Sequence, residues 1–279
     1  MIVTPFEQIK DSLSDKISSD LVGYLPDKWE KIGDTAIIKL HENLEQYHQI
    51  IGEVYAKVLN RKSVLCETGG ISGEYRQPDV KVIYGSKNCE TIHKENGVKY
   101  KLDPTKIMFS SGNIDERKRM ANISNKEEVV VDLFAGIGYF TLPIAVHSMP
   151  KRIYACEKNP TAYDYLCQNI ILNNVTSIVE PLKGDNRIVA PKNVADRVLL
   201  GFFGKTHNFL PTAIECLKKH QGIIHYHDTF SDEKIPDEAL KHVNKIVNRY
   251  KKKVELLKYK HVKSYAPGIS HYVFDIQIR

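Results

Sequence analysis

From Thr4 onward the apolar positions recur with the period of a helix: Phe6, Ile9, Leu13 and Ile17 fall on one face. Thr4-Pro5-Phe6-Glu7 supplies a capping box with proline at the first helical position, so an amphipathic opening helix is predicted. After Gly33-Asp34 a short apolar run at 35–40 predicts a strand, and Leu44, Tyr47, Ile51, Val54 and Val58 trace a second helix. Strand-like segments follow at 63–67, 80–84, 90–94 and 99–102, separated by Gly69-Gly70, Gly85-Ser86 and Asn96-Gly97. Asn-Gly is the strong hairpin signal, because a two-residue turn needs positive φ at both positions. The first hundred residues predict a small mixed α/β domain.

Near Glu127 the texture changes to apolar strands alternating with helical stretches, with strands at 129–133, 152–157, 178–183, 196–200 and 222–226. That alternation is the pattern of a parallel sheet covered on both faces. A helix at 236–252 precedes two last strands, 253–264 and 270–278, joined by Tyr265-Ala-Pro-Gly-Ile269 in a closing hairpin. No internal repeat or low-complexity linker interrupts the order, and the expected domains are 1–105 and 106–279.

With 279 residues, 42% of them hydrophobic, the chain can bury one large or two modest cores. Its longest apolar stretches, such as 128–146, are broken by glycine and polar residues and fall short of the roughly 20 residues of a membrane span, so no membrane partner is expected. The first eleven residues carry acids and no apolar core of a secretory signal. Five cysteines, odd in number and never spaced C-x-x-C, argue against a disulfide framework and a zinc knuckle and for a reducing cytoplasm. The net charge of +6 is local: the window 241–263 alone carries +8. Such a run is most often a solvated face; as a nucleic-acid footprint it would make Lys251, Lys252 and Lys253 the phosphate contacts.

Chemistry concentrates in Val129-Val-Val-Asp-Leu-Phe-Ala-Gly-Ile-Gly-Tyr-Phe-Thr141. Asp132 ends a strand, and Gly136 and Gly138 form the turn before a helix, where absent side chains let a ligand approach the backbone. Glu157 ends the next strand, 19 residues after Gly138, placed to accept from both hydroxyls of a ribose. Gly184-Asp185-Asn186 ends the third, where Asp185 suits an exocyclic adenine amine. Each piece alone is weak, but together three strand ends converge on one nucleoside. A dinucleotide fits less well, because the third glycine of G-x-G-x-x-G falls at Thr141; S-adenosylmethionine, which has no phosphate, fits better. His225-Tyr-His227 puts two imidazoles on one strand face, but no third ligand stands at zincin-like spacing, so core or rim histidines and no metal are expected. Tyr139, Phe140, Phe202 and Phe203 are taken as core rather than as stacking platforms.

Asp132-Leu-Phe-Ala-Gly-Ile-Gly-Tyr-Phe-Thr141, preceded by Met108-Phe-Ser-Ser-Gly-Asn-Ile-Asp-Glu-Arg117, resembles the enzymes of tRNA position 37: the guanine N1-methyltransferases and the relatives that build wyosine bases. The likeness runs from Trp29-Glu30-Lys31-Ile32-Gly33-Asp34 through His93-Lys94-Glu95-Asn96-Gly97 to Tyr265-Ala-Pro-Gly268. Where the methyltransferases carry Asn-Leu-Pro or a similar clamp after the fourth strand, this chain has Leu200-Gly201-Phe202-Phe203. Together with Phe-Ser-Ser-Gly-Asn at 109–113, that ending is similar to the wybutosine-pathway 3-amino-3-carboxypropyltransferases.

The resemblance implies a Rossmann-like class I methyltransferase fold, a mostly parallel seven-stranded sheet with a smaller N-terminal α/β domain that helps to recognise tRNA. It implies transfer of the aminocarboxypropyl group of S-adenosylmethionine to C7 of 4-demethylwyosine at position 37, in the anticodon loop of tRNA-Phe, with release of 5′-methylthioadenosine. The alternatives are a tRNA guanine-37 N1-methyltransferase and a non-catalytic RNA-binding protein. The expected cofactor-binding residues are Ser110, Arg117, Asp132, Gly136, Gly138, Glu157, Asp185 and Asn186. Arg117 is the candidate clamp on the methionine carboxylate, a planar fork meeting a planar fork. Ser110 is placed at the same end of the ligand, with Ser111 an alternative by spacing. No general base is assigned, because carbon alkylation of an electron-rich base needs only a proton acceptor after attack.

Overall fold

The computed structural model describes residues 3–202 and 204–279. They form two compact units, one running to Lys94 and resuming over Lys99–Ser111, the other made of Glu95–Val98 and Gly112–Arg279.

In the first unit, Thr4 caps α1 (Pro5–Leu13): its hydroxyl accepts from the Glu7 amide at 3.2 Å, and the Glu7 carboxylate accepts from the Thr4 amide at 2.6 Å. The helix stops four residues short of Ile17, which a following turn still brings into the core. Strands β1 (Glu30–Ile32), β2 (Thr35–Ile38), β3 (Ser63–Ser72) and β4 (Gln77–Tyr84) form one sheet in that order, parallel only between β2 and β3. The crossover between those two carries α2 (His48–Leu59), which buries Ile51, Val54, Tyr55 and Leu59 against Ile9 and Leu13. Gly69-Gly70, expected to end a strand, instead sits inside β3 where its register with β4 shifts, the bulge that glycine in a strand often marks. β5 (Thr91–Glu95) and β6 (Val98–Leu102) pair across Asn96-Gly97, both at positive φ (47° and 77°), as the turn demands.

Beyond the Glu95–Val98 segment, the second unit continues from Gly112 with α3 (Ile114–Met120) and builds its sheet from β7 (Val129–Asp132), β8 (Arg152–Glu157), β9 (Val179–Lys183), β10 (Arg197–Leu200), β11 (Gly222–Ser231), β12 (Val254–Ala266) and β13 (Ile269–Ile278). The order is β12-β13-β11-β10-β7-β8-β9; the five strands from β11 to β9 are parallel and β13 and β12 are antiparallel. Helices α4 (Thr141–Pro143), α5 (Pro160–Leu172), α6 (Asn186–Val189), α7 (Leu210–Cys216) and α8 (Asp237–Val247) make the connections, α4 continuing into one π-helical turn. This is the seven-stranded Rossmann-like sheet of the class I methyltransferase fold. Val131, Leu200, Ile224, Tyr226 and Phe274 form its core with Ala213, Ile214, Ala239 and Val243 from α7 and α8.

β11 is twice its expected length. β10 ends at Leu200, opposite Tyr226, but β11 runs on to Ser231 with β13 as its partner. The polar residues of that extension look like loop in sequence and are satisfied in place: Asp228 accepts from the amides of Gly204, Thr206 and Thr229, each at 2.9 Å.

Candidate active site

The strand order reverses at β7: β8 lies on one side and β10 on the other. In such a sheet a crevice opens outside the carboxyl ends of the strands at that point. Asp132 ends β7 fully buried, accepting from the Thr141 hydroxyl at 2.7 Å and the Phe134 amide at 3.1 Å. Burial outweighs these bonds and pushes its carboxyl up to about 6.

The two glycines of the following turn are required by both backbone and space. Gly136 has φ 58° and Gly138 φ 102°; a Cβ would lie 2.4 Å from the Tyr139 ring at the first and 2.5 Å from Leu142 at the second. The Gly136 amide donates to Glu157 at 2.7 Å, and the other oxygen of Glu157 accepts from the Asn159 amide at 2.6 Å. Asn159 in turn caps α5. Glu157 is thereby held in one orientation by backbone donors from two loops, and burial still raises its carboxyl against them. A carboxylate accepts about four hydrogen bonds, so capacity for ribose hydroxyls remains.

At the end of β9, Asp185 caps α6 and accepts from the Arg187 amide (3.0 Å) and Nε (2.9 Å); Arg187 holds its carboxyl down to about 2. Its charge is thus already answered by an exposed arginine. Asn186 beside it is buried, its Nδ2 donating to the Leu133 carbonyl at 2.8 Å while its Oδ1 has no partner. An unsatisfied buried acceptor next to a side-chain-free turn and an oriented carboxylate fits an adenosine moiety, which brings an amine and two hydroxyls.

Arg117 lies on α3 with its side chain 2% exposed, forked on Glu95 by two bonds of 2.6 Å from Nε and Nη2. Ser110 belongs to the first unit, as does Ser111, whose hydroxyl donates to Glu30 at 3.1 Å; Arg117 belongs to the second. Phe202 stacks on Phe134 (centroids 4.9 Å apart), and Phe140 lies against Gly201, where a Cβ would come within 2.9 Å of its ring. Phe203 lies outside the described residues.

A buried polar chain behind α3 escaped the sequence reading. Glu128 grips Arg197 by two 3.0 Å bonds, and Arg197 meets His225 Nε2 at 2.8 Å. His225 Nδ1 meets Asp275 at 2.6 Å, and Asp275 takes Arg119 at 2.6 Å, which in turn binds Glu116. A guanidinium only donates, so His225 Nε2 must accept and Nδ1 must carry the proton to Asp275: a neutral imidazole of fixed tautomer. Burial lowers the His225 pKa in agreement. Burial alone would raise Asp275, but its bonds from His225 and Arg119 hold it well below the usual carboxylate range. Glu116 is raised, burial prevailing over Arg119. A lone acid in the apolar run Tyr272-Val-Phe-Asp-Ile276 was the available signal, since a charge there needs a buried partner. His227 is also buried, its Nδ1 3.1 Å from His271; among the described residues no three His, Cys, Asp or Glu side chains group as metal ligands do.

Two family models match this chain: "TRM5/TYW2 methyltransferase domain" over residues 91–257 and "TYW2 N-terminal domain" over 9–88. It is 47% identical over 248 residues to the tRNA(Phe) (4-demethylwyosine(37)-C(7)) aminocarboxypropyltransferase of Methanocaldococcus jannaschii, covering 89% of this chain and 96% of that one. The enzyme of the same name from Pyrococcus horikoshii is 44% identical over 271 residues, 97% of this chain and 96% of its own. The crystal structure of P. horikoshii TYW2 in complex with MeSAdo superposes with a TM-score of 0.89 at 40% identity, covering 98% of both chains.

Proposed function

The chain belongs to the TRM5/TYW2 family, and from that premise we propose that its carboxyl-edge crevice presents the methionine end of S-adenosylmethionine, rather than the methyl group, to a tRNA base. It is an S-adenosylmethionine-dependent tRNA aminocarboxypropyltransferase. The acceptor is C7 of 4-demethylwyosine at position 37 of tRNA-Phe, the substrate named for the relatives from M. jannaschii and P. horikoshii. The observation that carries this over methyl transfer is the end of β10: Gly201 packs beneath Phe140, and no Asn-Leu-Pro clamp for a target nitrogen stands there.

The chemistry of the co-substrate is that of its sulfonium: attack by C7 on the methionine γ-carbon forms a C–C bond as the C–S bond breaks, C7 gives up its proton, and 5′-methylthioadenosine leaves. The protein's part is positioning, which selects the carbon in line for attack. Glu157, oriented by the Gly136 and Asn159 amides, accepts from the ribose hydroxyls; the unpartnered Asn186 Oδ1 and Asp185 take the adenine edge; Gly136 and Gly138 carry the positive-φ turn that borders the nucleoside. Arg117 grips the methionine carboxylate in exchange for part of its hold on Glu95. The first unit contributes to recognition of the tRNA. The site of action is the cytoplasm, in keeping with five free cysteines; among the described residues no helix is long and apolar enough to cross a membrane.

Cofactor labelled separately in its methyl and carboxyl groups tests the reaction. Carboxyl label is expected in the tRNA and methyl label in 5′-methylthioadenosine; methyl label in the tRNA, with S-adenosylhomocysteine released, would replace this reading with methyl transfer. Glu157→Ala is expected to weaken S-adenosylmethionine binding by roughly 10- to 150-fold, the loss of about 1.5 to 3 kcal/mol for hydrogen bonds to a charged group. Calorimetry showing unchanged affinity would remove Glu157 from the site.

A further inference from the structure

Laid on the sheet, the basic stretch of the chain divides into two parts. The backbone of Lys253 pairs with Arg279, and β12 begins opposite Ile278, which faces Gly222 at the start of β11. Lys251, Lys252 and Lys253 therefore stand at the amino-terminal edge of the parallel strands, the edge away from Asp132 and Glu157. Following the register across β13 and β11, Lys258 is level with Leu199, Lys260 with His227 and Lys263 with Thr229. Since β10 ends at Leu200, Lys260 and Lys263 lie beyond the carboxyl edge on which the crevice opens.

The spacing of these lysines, two residues and then three, does not suit a plain strand, whose side chains alternate between faces. A register shift between His261 and Lys263 corrects it: Lys258, Lys260 and Lys263 stand opposite Asp275, Val273 and His271, every second residue of β13. All three share the α3 face of the sheet. Lys260 Nζ is 3.8 Å from Glu116, and the Lys263 Cδ lies 3.8 Å from where a Cβ on Gly112 would be. Tyr259 and His261 take the opposite face, against Phe274 and Tyr272. β12 is the last strand of its sheet, and from Leu256 to Phe274 the chain contains no acidic residue.

Lysines and bulges on an edge strand also discourage edge-to-edge pairing. That purpose is served by lysines on either face and does not call for the shift that keeps three of them on one. Neighbouring positions of the row are about 7 Å apart along the strand, of the order of the separation of successive phosphates in one RNA strand. We infer that Lys258, Lys260 and Lys263 form a row that tracks the phosphates of the tRNA strand carrying the target base and holds it beside the crevice. The inference rests on tRNA being the substrate and assigns the surface that holds it.

The test compares Lys258→Ala/Lys263→Ala, which leaves the Glu116 neighbour Lys260 in place, with Lys251→Ala/Lys252→Ala/Lys253→Ala. Affinity for tRNA is measured over a salt series, and S-adenosylmethionine affinity by calorimetry. In the double variant the slope of log affinity against log salt should fall by about two, roughly one per phosphate contact, with KM for tRNA raised, kcat at saturating tRNA kept and S-adenosylmethionine affinity unchanged. Lys258→Arg/Lys263→Arg should restore binding, and the triple variant should stay near the parent slope. If the double variant also loses S-adenosylmethionine binding, Lys263→Gln alone is read for a slope change of about one. Parent-like slope and affinity in the double variant, or a larger loss in the triple variant, would overturn the assignment. A parent protein that binds no tRNA would instead refute the substrate reading, so the two failures are distinguishable.

Discussion

Replacing Arg117 with alanine is expected to lower aminocarboxypropyl transfer by 100-fold or more and to destabilise the protein as well. The guanidinium is forked on Glu95, whose side chain is 8% exposed, by two 2.6 Å bonds. Its removal leaves a buried carboxylate without that partner, at a cost of about 3 to 5 kcal/mol. A loosened methionine end costs rate as well, since a misplacement of about 1 Å can reduce transfer on the order of 100-fold. The two effects separate in Arg117→Met/Glu95→Met, because replacing a buried ion pair by apolar side chains of similar volume is often close to neutral. Urea unfolding should show most of the stability recovered, while carboxyl-label transfer to tRNA stays at the level of the single variant. Transfer within threefold of the parent in the double variant would mean that Arg117 serves only to hold Glu95.

The stability of the chain should also carry a pH dependence that belongs to Asp132. Its carboxyl is fully buried and pushed up to about 6 from an ordinary value of 3.8, burial prevailing over the bonds from Thr141 and Phe134. A raised carboxylate favours the folded state fully below pH 3.8 and loses that contribution as pH rises through about 6. The change is about 3 kcal/mol across that window. Asp132→Asn keeps the shape of the side chain and an acceptor for the Phe134 amide, and removes the titration. The stability of parent minus variant, from urea curves between pH 4 and pH 7.5, should therefore fall as pH rises, with the variant more stable than the parent at the upper end. Parallel curves over that range would show that Asp132 does not titrate between them.

The local features of the site were legible because their causes are local. Gly136 and Gly138 are dictated by positive φ and by the rings and methyls within 3 Å of any Cβ, and strand-end Asp132 and Glu157 follow from the alternation of apolar runs and turns. Asp185 shows the limit of that reasoning: the Gly184-Asp185 turn after β9 is legible in sequence, but the engagement of Asp185 by Arg187 and the unpartnered oxygen of its neighbour Asn186 depend on how α6 packs. The extension of β11 was missed because His227-Asp-Thr-Phe-Ser231 is too polar to read as strand until the loop donors that satisfy Asp228 are in place.

The sequence by itself determined the alternation that makes a parallel sheet, the switch-point turn, and a family likeness that extends from Trp29 to Gly268, since periodicity, turn chemistry and motif order are properties of neighbouring residues. Tertiary structure alone decided the pairings: Arg117 with Glu95 across 22 residues, His225 held neutral between Arg197 and Asp275, and three lysines brought to one face by a register shift. Each depends on which distant residues meet when strands pair and charges are buried. A buried ionisable group is answered by whatever the fold places against it, and in a strand one extra residue moves every later side chain to the other face.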